Sequence, residues 1–563
     1  MAPQSYSILI LLFLQAPGIF VHGQTTDPFD RSNPVSAQTE YGPIEGFIHA
    51  ASDGTSSNVF LGVPYAKPPI GDLRFERPLP PDSWSSTLQT KQFRNACIPY
   101  RYANRPLPPD SWSSTLQTKQ FRNACIPYRY ANINANVPIS EDCLYVNVIA
   151  PTEPSDDPSG YPVLVYIHGG GFWYGNVIRA GFDKATKVFA SRGLITITMP
   201  YRVGLYDSAG SASVDLLTLS PHSRNLFHKA IEGSGAGSCE FAGSQPSTRV
   251  TKQLAAAMGC ASTNPNEIKA FLKSQTWQDI MNVSSNQFVP DKAYPNYLGW
   301  GPRYDHDFFD GKTIEQLIKE APPKPLIAGL MSLEGGGFIG LAGQPASVLA
   351  AYNAANFTAK IRSTYAPQII AGPEFQAIQN DIINYFIYHN APENATSEFY
   401  IRRHAELYSD LFLNQQVLYE TDLKVLFGWP VYFYLWDHMS APVQATLPQA
   451  KGAWHTSEIY YVFDQLVRPA DVLGPEELKV QSYYADIFAQ FAYTGNPRTP
   501  ENRFPRYDLL TRRSLWIDPT LSIKWNWITE RRLFWAQHVS KFNYNILRGR
   551  TRSQIINGSP LDN

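Results

Sequence analysis

Apolar residues in this chain fall into short blocks with two different rhythms. The run Val163-Leu164-Val165-Tyr166-Ile167 has no polar alternation and stops at glycines, the pattern of a strand covered on both faces. Leu194-Ile195-Thr196-Ile197-Thr198-Met199 is a second run, rich in β-branched residues. Residues 182–192 between them carry helical periodicity. Strand, helix, strand predicts an α/β fold around a parallel sheet. Further along, residues 477–493 form a long amphipathic stretch, and Thr494-Gly495-Asn496-Pro497 supplies a helix stop. The earliest block, Ile8-Leu9-Ile10-Leu11-Leu12-Phe13-Leu14, is too short to span a bilayer. With small residues offered by Val21-His22-Gly23, it reads as a secretory signal peptide over residues 1–23, although no Lys or Arg precedes it. Residues 24–563 are then expected to form one large domain, because no Gly-, Ser- or Pro-rich linker divides them. No later run is long enough for a membrane helix, and Pro560-Leu561-Asp562-Asn563 carries neither a lipid-anchor signal nor an ER-retention signal.

Charge narrows the partners. Lys and Arg number 47 against 48 Asp and Glu, a net charge of -1, so neither nucleic acid nor an anionic membrane is favoured. Export implies glycans and disulfides. Sequons stand at Asn282, Asn356, Asn394 and Asn557. The five cysteines are an odd number for a secreted chain. Residues 77–104 recur without change as residues 105–132. Two identical adjacent copies are not a stacked repeat architecture, whose units drift apart; one copy is read as surplus. Without it the cysteines number four, with Cys125 (or Cys97) expected to pair with Cys143, and Cys239 with Cys260.

Two segments carry chemistry. His168-Gly169-Gly170-Gly171 directly follows the first strand, and glycines there let backbone N–H groups face a developing oxyanion. Tyr206-Asp207-Ser208-Ala209-Gly210 approximates G-x-S-x-G, the tight strand-to-helix turn that exposes a nucleophilic serine, with Tyr206 in place of the leading glycine. Ser234 fits less well, since Glu232 and Ala236 stand where that pattern has glycines.

From about Glu40 to Gln537 the chain resembles the type B carboxylesterases and cholinesterase-like proteins of the α/β-hydrolase fold. Phe60-Leu61-Gly62-Val63-Pro64-Tyr65-Ala66, Gly71-Asp72-Leu73-Arg74-Phe75, Ser140-Glu141-Asp142-Cys143-Leu144-Tyr145-Val146-Asn147, Leu226-Phe227-His228-Lys229-Ala230-Ile231 and Tyr493-Thr494-Gly495-Asn496-Pro497 carry the likeness. It implies a mostly parallel sheet flanked by helices and a serine esterase acting on small carboxylic esters without metal or organic cofactor. The implied nucleophile is Ser208, the acid Glu334 in Leu333-Glu334-Gly335, and the base His455 in Trp454-His455-Thr456-Ser457-Glu458. The implied oxyanion donors are the N–H groups of Gly170, Gly171 and Ala209.

The chain also departs from that family. Only Leu205, Tyr206 and Asp207 separate Gly204 from Ser208, where the family places a helix and the nucleophile-bearing strand; a complete strand–helix–strand unit takes roughly 30 residues. One strand and one helix are therefore expected to be missing before the serine, and an intact form is expected to have one copy of the repeat and a full-length elbow. Between Cys125 and Cys143 there is no Trp, only Tyr128 and Tyr130, which disfavours choline esters. The competing readings are a catalytically impaired binding or adhesion relative and a misassembled gene product.

Overall fold

The computed structural model describes residues 8–12, 29–97, 139–171, 175–203, 210–243, 247–286, 300–302, 304–366, 368–464, 473–499, 501 and 503–557. Its centre is one large mixed sheet. In chain order the strands are β1 (Ile8–Leu12), β2 (Pro34–Gln38), β3 (Pro43–Ala50), β4 (Ser56–Pro64), β5 (Tyr145–Pro151), β6 (Val163–Ile167), β7 (Ile195–Met199), β8 (Lys229–Gly233), β9 (Leu326–Met331), β10 (Val431–Trp436), β11 (Ser514–Ile517) and β12 (Ser522–Lys524). Their spatial order is β12-β11-β10-β9-β8-β1-β6-β7-β5-β4-β3-β2. From β11 to β7 every neighbouring pair is parallel, and the strands outside that block pair antiparallel, apart from a thirteenth, two-residue strand, Leu88–Gln89, parallel to β3.

Helices cover the sheet as the apolar blocks require. The helix α1 (Asp183–Val188) stands between β6 and β7, α2 (Gly210–Leu219) precedes β8, α3 (Ser397–Ser409) and α4 (Gln415–Leu426) precede β10, and α5 (Pro475–Thr494) ends at Gly495, whose φ of 71° suits a glycine helix stop. Leu164 and Tyr166 of β6 pack with Ala185 and Val188 of α1 and Tyr484, Ile487 and Phe488 of α5 in one core. Val214 and Leu216 of α2 pack with Ala230, Leu326 and Phe433 in the core on the other face.

The slot between β6 and β8 is filled by β1. Ile8 to Leu12 pair in parallel with Val163 to Ile167 on one side, and Leu9 to Leu12 with Lys229 to Glu232 on the other. The sequence reading sets this stretch apart as a leader and leaves the sheet one strand short; the structure uses it as that strand. The physical reason is that β6 and β8 each present a row of backbone donors and acceptors to the slot, and an apolar extended segment satisfies both rows.

The cysteines need correcting. The disulfide joins Cys97 to Cys143, so the first copy of the repeat is the bonded one; Cys125 lies outside the described residues. Cys239 and Cys260 are free thiols, not a pair. Cys239 is buried among the residues under α2, while Cys260 packs beside Ala255, Ile268 and Leu272, in a separate cluster. The loop closed by Cys97 and Cys143 also contains Trp112, outside the described residues, so the argument against choline esters built on the shorter Cys125–Cys143 loop lapses. Asn282, Asn356 and Asn394 are exposed, as glycan acceptors must be; the side chain of Asn557 lies outside the described residues. No described helix is long and apolar enough to cross a membrane.

Candidate active site

Strand β9 delivers Glu334. All six of its positions are buried, and the chain leaves the sheet at Met331 into a single turn, Glu334–Gly337. The Glu334 carboxylate folds back and accepts the Met331 N–H at 2.8 Å, which fixes its direction before any partner arrives. Two backbone hydrogen bonds then stitch a distant segment alongside: Leu333 N–H donates to the Ala453 carbonyl (2.9 Å) and His455 N–H to the Glu334 carbonyl (3.2 Å). That stitching sets His455 Nδ1 2.6 Å from Glu334 Oε2, with both side chains wholly removed from solvent. The Phe338 ring leans on the imidazole at a centroid distance of 5.3 Å.

The third donor to the carboxylate is Ser234, whose hydroxyl donates to Glu334 Oε1 at 2.5 Å. Ser234 follows β8 directly and has a φ of 57°, a left-handed conformation uncommon for a residue with a side chain. Its own N–H donates to the Gly329 carbonyl at 2.9 Å, so the strained turn is pinned to β9. Sequence reasoning weighed Ser234 only as a nucleophile and missed it as a carboxylate partner. Its signal was Gly233-Ser234-Gly235 at a strand end.

These bonds define a proton arrangement. A carboxylate that accepts from Met331 N–H, Ser234 O–H and the imidazole leaves His455 with its proton on Nδ1 and a lone pair on Nε2. His455 Nε2 is buried and has no hydrogen-bond partner among the described residues. A buried imidazole nitrogen is ordinarily paired with a hydrogen-bond partner. Ser234 is not that partner, because its proton is directed to the carboxylate. Ser208 and Ala209 lie outside the described residues; α2 begins at Gly210, two residues after Ser208.

At the end of β6 the glycine segment takes the backbone shape that its composition foretold. Gly170 has φ 144° and Gly171 φ 58°. His168 is wholly buried and stacked on Tyr201 at 4.2 Å, while the Tyr201 hydroxyl donates to the His168 carbonyl. Burial lowers the His168 pKa to about 4, so this imidazole is neutral and structural. A Cβ at Gly175 would lie 2.3 Å from the Gly169 carbonyl oxygen, so the glycine turn is tightly enclosed. The structure thus joins Glu334 to His455 and shapes Gly170 and Gly171, while Ser208 and Ala209 are not among the residues it describes.

Comparison with known proteins agrees with this architecture. Residues 33–102, 99–207 and 206–535 match the carboxylesterase family. The two breaks between matched stretches fall at the duplicated segment and at the short interval before Ser208. Gut esterase 1 of Caenorhabditis elegans is 29% identical over 521 residues, covering 82% of this chain and 85% of that protein. The medium-chain fatty acyl-CoA hydrolase precursor of Anas platyrhynchos is 26% identical over 555 residues, 89% and 91% of the two chains. The acetylcholinesterase of Bungarus fasciatus is 25% identical over 557 residues, 87% and 85% of the two chains. That family implies an α/β-hydrolase fold, with which the helix-flanked mixed sheet is consistent, and ester hydrolysis as the common chemistry. This chain belongs to the carboxylesterase family.

Proposed function

We propose that this chain is a secreted serine carboxylesterase in which Ser208 attacks the ester carbonyl, His455 accepts its proton through Nε2, and Glu334 orients and stabilises the resulting imidazolium. The N–H groups of Gly170, Gly171 and Ala209 receive the oxyanion; a single such donor contributes about 3–4 kcal/mol. His455 then returns the proton to the leaving alcohol, and water repeats the cycle on the acyl-enzyme. The observation that carries this reading is the wholly buried Glu334–His455 pair, 2.6 Å apart at the end of β9.

The short interval before Ser208, where the family match also breaks, supports a second reading: a folded relative that binds but does not turn over. One experiment separates the two. The full chain is expressed and assayed for p-nitrophenyl ester hydrolysis together with fluorophosphonate labelling. Labelling that disappears in Ser208→Ala supports the esterase; a folded, unlabelled wild type supports the binding relative. Sequencing the transcript tests the origin of the interval, since a clone lacking the second repeat copy and carrying a full elbow would mark the present sequence as an altered form. Secretion has its own test. Cleavage after Gly23 would withdraw β1 from the sheet, so the N-terminal sequence of the folded protein shows whether residues 8–12 serve as leader or as strand.

A further inference from the structure

Behind the candidate triad lies a second buried group of ionisable side chains that the proposed chemistry does not use. Asp215 of α2, Glu232 of β8, and Glu420 and Lys424 of α4 are all almost completely buried. Lys424 Nζ stands 2.6 Å from Asp215 Oδ1 and 2.8 and 2.9 Å from the two Glu232 oxygens. Asp215 and Glu420 share a hydrogen bond, and burial beside Asp215 raises the Glu420 pKa well above the usual carboxylate range, so Glu420 holds a proton there. Arg548, Tyr304 and the Cys239 thiol complete the titratable surroundings, and the Trp429 ring lies 5.6 Å from Lys424 Nζ.

This cluster grips one short turn. Asp215 Oδ2 accepts the Gly237 N–H at 2.5 Å, and Glu420 Oε1 accepts the Ser238 N–H. One turn of helix before Asp215, the Ser211 hydroxyl donates to the Gly235 carbonyl at 2.9 Å. Glu232 reaches the cluster from two residues before Ser234. Residues 234–238 are therefore clamped from both sides by side chains of α2 and α4. The same turn presents Ser234 to Glu334, and α2 is the first helix after Ser208. Side chains at Gly235 and Gly237 would meet the clamp, with a Cβ 2.9 Å from Ser211 Cβ and from Asp215 Oδ2 respectively.

We propose that the Asp215–Lys424–Glu232 ion cluster is a positioning device for the Glu334–His455 pair, acting through the 234–238 turn and the Ser234 hydroxyl, and that it holds α2 to that same turn. Burying charge is costly, and a packed apolar cluster could join these elements equally firmly. What the ion cluster adds is direction: the charge-assisted hydrogen bond from Gly237 N–H to Asp215 fixes that group at a defined angle, and Glu420 beside Asp215 holds the Ser238 N–H. The inference rests on Glu334 and His455 being the acid and base proposed above.

The test uses the full chain and the double variant Glu232→Gln/Lys424→Gln, which removes both partners of the Glu232–Lys424 contact together, with Lys424→Arg as the conservative control. Proton NMR observes the far-downfield resonance of the His455 Nδ1–H held by Glu334, assigned by its loss in Glu334→Gln, and fluorophosphonate labelling is followed in parallel. The double variant is expected to melt cooperatively yet lose or broaden that resonance and label about a hundredfold more slowly, the scale of an ångström-size misplacement; Lys424→Arg restores the resonance. Ser234→Ala should give the same resonance change, and adding it to the double variant should change nothing more. An unaltered resonance in the folded double variant overturns the proposal, as does a wild type without the resonance. Should the double variant not fold, an unaltered resonance in Ser234→Ala overturns it instead. A wild type that shows the resonance but never labels defeats the esterase reading alone, and the resonance still decides the positioning role.

Discussion

Strands β9 and β7 belong to one sheet and are both apolar, yet they live in different surroundings. Every residue of β9 is buried, as expected for a parallel strand with helices on both faces. In β7, Thr196 and Thr198 are buried while Ile195, Ile197 and Met199 remain half-exposed; in β6, Leu164 and Tyr166 are buried while Val163 and Val165 are half-exposed. A cavity of about 320 Å³ lined by Ile167, Met199, Tyr201, Leu216, Leu217 and Phe308 opens beside that face. Among the described residues β9 is buried throughout, whereas the face of β6 and β7 is only partly covered. This contrast coincides with the interval of three residues before Ser208, where a strand and a covering helix would otherwise stand. It teaches that the Glu334–His455 contact is made by β9, the turn after it, the 453–455 segment and the Ser234 turn after β8, none of which belongs to the partly covered face of β6 and β7.

The largest expected effect tests the β9 side. Glu334→Gln keeps the shape but offers Nδ1 the wrong partner, and labelling should fall about 10⁴-fold, as for an acid-to-amide change in a triad. A fall under tenfold would remove Glu334 from the chemistry. Next, Ile327→Ala in β9 should cost about 2–5 kcal/mol in urea unfolding, and Ile197→Ala in β7 only about 1 kcal/mol, since its side chain is already partly exposed. Equal costs would show that the β7 face is covered in solution. Gly335→Ala places a Cβ 2.3 Å from the Ala405 carbonyl oxygen and 2.9 Å from the Ser409 nitrogen. It should destabilise by about 1–3 kcal/mol, while the matching change at Gly340, where nothing lies within 4 Å, meets no clash and carries only the backbone strain of its φ of 75°.

The smallest effect is a slope. Burial pushes Glu240, in the turn after β8, up to about 8 against the attraction of Arg550. The fold therefore favours its protonated form, and this stability is complete below about pH 4.5 and lost as pH rises through about 8. His168 on the opposite side is depressed to about 4, so its contribution is present above about pH 6.5 and lost as pH falls through 4. Thermal melts of Glu240→Gln should fall less steeply between about pH 4.5 and 8 than those of the wild type, by a few degrees. An unchanged slope would show that Glu240 is not protonated in the folded chain.

Much of the parallel block was legible because its pattern is unambiguous. Val163 to Ile167 is the strand that its unbroken apolar run predicts, and residues 477–493 lie inside the helix Pro475–Thr494 that ends at Gly495. Residues 182–192 became the helix Asp183–Val188 and a separate turn at Ala190–Arg192. Other features were illegible for physical reasons. An apolar run of this length fits a leader and a sheet strand equally well, and pattern alone does not choose between the two for Ile8–Leu12. Parity of cysteines says how many can pair, not which are near, and Cys239 with Cys260 fell to that gap. Glu334 and His455 were found through family likeness; their contact spans 121 positions and no local rhythm encodes it. Ser234 meets Glu334 across 100 positions in the same way.

The Cys97–Cys143 bond, with a sequence separation of 46, has a further meaning for how this chain tolerates change. The second copy of the repeat lies entirely inside the loop that the bond closes. The entropy of closing a loop grows only with the logarithm of its length, so the extra copy costs about 1 kcal/mol. A segment lost from within a sheet carries a penalty that scales with the area left bare. An insertion within a loop that a disulfide closes is thus nearly silent, whereas a vacancy in the middle of a sheet leaves two rows of backbone groups that need another strand, the place Ile8–Leu12 takes here.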